Sequence, residues 1–141
     1  MQTQELKPGR VVMGRMQRGD DLLAMLTQVC REHDIRLGTV QGLGAVEHAT
    51  IAYYDQNAQV YAEIRLDRHL EILALVGNVS LRDGDIVLHL HATFGDETGK
   101  ALGGHVGPDT RVFACEFAIQ ELTGGEFYRG FDKPTGLPLW E

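Results

Sequence analysis

From Asp21 to His33 the apolar residues Leu22, Leu23, Leu26, Val29 and Cys30 recur three and four positions apart. That spacing places them on one stripe of a helix, with Gln28, Arg31 and Glu32 outside it. The preceding Arg18-Gly19-Asp20-Asp21 supplies a turn and an N-cap acid. Everywhere else the period is shorter. Residues 10–16, 35–42, 45–54, 59–66, 70–79, 86–94 and 111–121 are β-branched, aromatic or alternating runs punctuated by glycine, and read as strands. Turns such as Asp55-Gln56-Asn57 and Arg82-Asp83-Gly84-Asp85 join neighbouring runs as hairpins, which favours antiparallel meanders over parallel crossovers. The expected fold is α+β: a mostly antiparallel central sheet with one main helix. The tail from Tyr128 to Glu141, with Pro134, Gly136 and Pro138, reads as irregular chain that docks Leu137, Leu139 and Trp140 onto the body.

At 141 residues and 43% hydrophobic content, with no internal repeat or linker, residues 1–141 suit one domain. The formal charge of -7 repels a phosphate backbone or an anionic membrane surface, so nucleic-acid binding starts disfavoured. Cys30 and Cys115 lie far apart with no CxxC pairing, against a thiolate metal ribbon and for a reducing, cytoplasmic setting. The stretch from Met1 to Arg10 has no apolar leader core, and no run approaches the roughly twenty apolar residues of a membrane span.

The candidate chemistry lies in Ile86-Val87-Leu88-His89-Leu90-His91-Ala92-Thr93-Phe94. Alternation puts Leu88, Leu90 and Ala92 on one face and His89, His91 and Thr93 on the other, so the two histidines are next neighbours able to share a cation. A third, His105, follows Gly103-Gly104 in a turn-rich segment that can fold back toward that strand. Three neutral imidazoles leave a Zn²⁺ ion its full charge and an open fourth position, where a water is acidified to a pKa of about 7 or a small ligand binds. Equally, His89 and His91 can be strand residues hydrogen-bonded to neighbours or solvent. His33, His48 and His69 lack a partner pattern and read as surface or capping residues. Glu71, a carboxylate within Leu70 to Leu75, needs a partner: either an arginine or, beside the metal, a role orienting a ligand or accepting a proton. Glu116 poses the same question.

Other signatures fail. Gly42-Leu43-Gly44 lacks the third glycine and the helix of a dinucleotide fingerprint. Gly95 to Ala101 is one residue short of a phosphate loop and ends in Ala101 where a hydroxyl would hold Mg²⁺. There is no GxSxG elbow and no basic reading helix, so no catalytic nucleophile is nominated.

Taken in order, several motifs resemble one family. They are Arg18-Gly19-Asp20-Asp21-Leu22, Gly42-Leu43-Gly44-Ala45, Leu70-Glu71-Ile72-Leu73-Ala74-Leu75-Val76-Gly77-Asn78, His89-Leu90-His91, Gly99 to His105, and the ending with Thr135-Gly136-Leu137. Together they are similar to the plants-and-prokaryotes conserved (PPC) domain, whose bacterial members carry a predicted DNA-binding label. The resemblance implies an α+β homotrimer with zinc held by residues corresponding to His89, His91 and His105. In the plant members DNA contact comes from a fused AT-hook, and no Arg-Gly-Arg-Pro hook occurs here. The expectation is therefore a zinc-binding trimer with an open site for a small ligand; the alternative is a DNA-associated or regulatory scaffold.

Overall fold

The structure, a computed structural model, describes residues 3–141. Met1 and Gln2, part of the stretch read as leaderless, lie outside the described residues. In chain order the elements are β1 (Lys7–Met16), α1 (Leu22–Glu32), β2 (Gly38–Asp55), β3 (Val60–Leu66), β4 (Leu70–Arg82), β5 (Asp85–Gly95), β6 (Ala101–Val106), β7 (Arg111–Thr123), β8 (Arg129–Asp132) and β9 (Leu137–Trp140). The pairings between these strands are all antiparallel. Among the described residues no helix is long and apolar enough to cross a membrane.

The helix forms where its stripe predicts. Leu22, Leu26 and Cys30 are fully buried against the sheet. Asp21 is its N-cap, one oxygen accepting from the Ala24 amide at 2.9 Å and the other from the Asp109 amide at 2.7 Å, so a single carboxylate ties helix to loop. Asp21→Ala removes both bonds and is expected to cost about 1–2 kcal/mol. A chemical-denaturation midpoint measured beside wild type checks this.

Three expectations change. First, residues 35–42 and 45–54 are not two strands: β2 runs unbroken through Gly42-Leu43-Gly44, with a register shift there. Gly44 has φ +148°, and a Cβ at that position would stand 2.1 Å from the Ala114 carbonyl oxygen, so the glycine permits close approach of β7 rather than a chain break. Second, Ala101 to Val106 is strand β6, not a turn-rich segment; the turn precedes it, where Asp96 Oδ1 accepts from the Thr98 and Lys100 amides. Third, the tail is not irregular. Arg129 to Asp132 pairs with Leu137 to Trp140 as a hairpin, and Trp140 stacks on Phe127 with ring centroids 4.4 Å apart.

The main sheet is ordered β1-β7-β2-β4-β5-β6, and the second half of β2 bends round to pair with β3 and with β6. One row of paired residues crosses it: Met13, Ala118, Gln41, Val76, His91 and His105. Side chains in one row share a face. The opposite face, with Val40, Leu75, Leu90, Ala92 and Ile119, packs into the core with α1. The histidines therefore project from the sheet's outer side, and the β8–β9 hairpin lies on that side.

Candidate metal centre

Two strands make the site. Strand β5 carries His89 and His91 two residues apart, and β6 brings His105 directly opposite His91. His105 also pairs with Ala52 of β2, so the strand bearing it is held on both sides. The ring centroids of His89 and His91 are 5.1 Å apart, those of His89 and His105 5.0 Å, and those of His91 and His105 5.5 Å. One ligating nitrogen from each ring lies within 4.8 Å of the others.

The residues fit a metal ion on three counts. His89 Nε2 and His91 Nε2 are 3.2 Å apart. Two nitrogens about 2.05 Å from a tetrahedral zinc are spaced by about 3.3 Å. Moreover, His105 Nδ1 is enclosed without a hydrogen-bond partner among the described residues, which leaves that ring's needs unmet by protein alone. Finally, burial holds the His89 pKa down to about 4, helped by the charges of His105, Arg129 and His91, and burial likewise lowers His105. At neutral pH these two imidazoles are unprotonated and their lone pairs are available.

Beside the histidines the hairpin walls a cleft of about 330 Å³. His89 and His105 line it, together with Tyr61, Arg129 and Leu139. The Tyr61 ring lies 5.2 Å from that of His105. Tyr61 and Arg129 escape a sequence reading, because nothing in local spacing links them to a strand more than twenty residues away.

The remaining candidates lie elsewhere. Glu71 is exposed and opposite Gly95, four residues along β5 from His91, in a depression with His69 and Asp96. Four residues of strand rise, about 13 Å, thus separate it from the histidines, and a role beside the metal is corrected. Glu116 is exposed across from Arg15. His33 caps α1, as expected, its amide donating to the Val29 and Arg31 carbonyls. His69 is exposed. His48, expected at the surface, is half-buried; its Nε2 lies 3.4 Å from Asp109 Oδ1, outside hydrogen-bond geometry. The carboxyl of Asp109 is held down to about 2 by Arg65 first, then Arg111 and His48. Cys30 and Cys115 are buried, and burial pushes both thiols up to about 11.

Comparison with known proteins gives the same architecture. A metal-containing protein from Archaeoglobus fulgidus superposes with a TM-score of 0.95 at 37% identity, covering 100% of this chain and 99% of that one. A plant- and prokaryote-conserved protein from Pyrococcus horikoshii does so with a TM-score of 0.94 at 34% identity, covering 100% and 97%. A bifunctional protein GlmU from Synechococcus is 31% identical over 94% of this chain, which spans only 20% of that protein's length. The model of the Plants and Prokaryotes Conserved (PCC) domain matches residues 3–123, and with the motifs and fold in agreement the chain belongs to that family.

Proposed function

We propose that this protein is a zinc-binding homotrimer, each chain one domain, whose His89, His91 and His105 hold the ion and leave a position open to a small ligand in the adjoining cleft. The observation that carries this reading is the convergence of three imidazoles from two strands, one ring nitrogen with no hydrogen-bond partner among the described residues. The relative from Archaeoglobus fulgidus, named as metal-containing, supports it. An ion so held supplies Lewis-acid charge beside the cleft. The protein's own part is to orient the imidazoles on paired strands and to wall the ligand position with the β8–β9 hairpin.

Self-association is supported by the outer sheet face, where among the described residues the apolar side chains of Met13, Leu43 and Val76 are 77%, 59% and 57% exposed. The threefold state itself comes from the family resemblance. A direct DNA role is opposed by the net charge of -7.

Native mass spectrometry of the purified protein tests both parts. The expected species has three chains and close to one zinc per chain. A metal-free protein that takes up no added zinc sinks the metal reading; zinc-loaded monomers sink the assembly alone.

A further inference from the structure

The guanidinium of Arg129 is an unusual cation. It is half-buried, and three of its bonds go to neutral acceptors: Nε to Ser80 Oγ at 2.8 Å, Nη2 to Asn78 Oδ1 at 2.7 Å and Nη1 to the Pro138 carbonyl at 2.9 Å. Five N–H groups less these three leave two with no hydrogen-bond partner among the described residues. Beyond desolvation, Tyr61 favours its charge and a second cation, Arg82, opposes it; both line the same cleft. Desolvation is the largest influence on it and disfavours its charge. The Trp140 ring, 5.7 Å from the guanidinium carbon, gives it a partial cation–π partner, but a cation withdrawn from water beside another cation, with no carboxylate among its bonded acceptors in the described residues, is costly unless a ligand supplies the counter-charge.

The placement of Arg129 is specific. Asn78 pairs with His89 across β4 and β5, so the side chain that holds the guanidinium is the direct neighbour of a candidate metal ligand. Both His89 and His105 feel the Arg129 charge, and all three line one cleft. Three neutral imidazoles would leave a zinc ion its two positive charges. Leu137, Leu139 and Val87 supply apolar wall beside the cation.

Resting on the metal reading above, we infer that the cleft binds a small organic dianion, one oxyanion directed to the metal and the other held by Arg129, with a short apolar spacer against the hairpin leucines. A four-carbon dicarboxylate matches this pattern; the equivalent monocarboxylate satisfies only one end. Arg129 is a binding residue here, not a reacting one.

Cobalt(II) substituted for zinc makes the two ideas separable, since its visible spectrum reports its ligands. Titrating the cobalt-loaded protein with succinate and, separately, with butyrate is expected to give saturable spectral changes with succinate bound at least about tenfold more tightly, the worth of one charge-assisted hydrogen-bonded contact. Arg129→Gln should bring the succinate-to-butyrate ratio close to one, while Arg129→Lys, which also loses the native bonding geometry but keeps the charge, retains a preference. Failure to take up cobalt would strike the metal reading. Normal cobalt uptake with equal binding of the two acids, or no binding of either, overturns the dianion site, as does a Lys variant that behaves like the Gln variant.

Discussion

His91→Ala is expected to lower zinc affinity by at least about a hundredfold while leaving the metal-free protein within about 0.5 kcal/mol of wild type in stability. Changes to groups that merely support a ligand already weaken metal sites by about 10–100-fold, so loss of a donor should exceed that range. The small stability effect follows because the His91 side chain is on the solvent side of β5, between the buried Leu90 and Ala92, and fills no space in the core. Competition against a chelator of known affinity gives the first number and denaturation of metal-free samples the second. His69→Ala serves as the control: it too is exposed, and it stands beside Glu71 rather than in the cluster. Equal zinc retention in the two variants would show that His91 is an ordinary strand residue bonded to His89.

Much of this geometry was readable beforehand, and the reasons differ by residue. The helix was legible because Leu22, Leu26 and Cys30 obey its period and Asp21 supplies the cap. His89 and His91 were legible because a strand's period of two is rigid enough to put alternate residues on one face. Glycine was the main source of error. Gly42, Gly44, Gly103 and Gly104 read locally as punctuation, yet at Gly44, Gly103 and Gly104 a partner strand comes too close for a Cβ and at Gly42 the fit is tight, information that belongs to the pairing and not to the local sequence. His105 was therefore placed near the site for a partly mistaken reason: it arrives on a paired strand, not on a turn. Glu71 misled because an acid in an apolar run suggests a buried charge, whereas the strand presents it to solvent. Arg129 and Tyr61 enter the cleft by tertiary packing of a hairpin and of β3, for which no local pattern exists.

The same glycines imply the other large effect. Gly103 pairs with Thr93, and a methyl group built on it would lie 2.3 Å from the Ala92 carbonyl oxygen and 3.1 Å from the Thr93 Cα. Both obstacles are backbone, so no rotamer change relieves the contact; β6 must move away from β5. Gly103→Ala is thus expected to destabilise the metal-free fold by at least about 2 kcal/mol, as overpacking between fixed elements does. It should also weaken zinc binding at temperatures where the variant is fully folded, because the strand it displaces carries His105 two residues on, opposite His91. The pair of measurements distinguishes this substitution from His91→Ala, which removes a donor and spares the fold. A Gly103→Ala protein as stable as wild type, with zinc affinity unchanged, would mean that β5 and β6 can separate without moving His105, and that strand spacing does not set the geometry of the cluster.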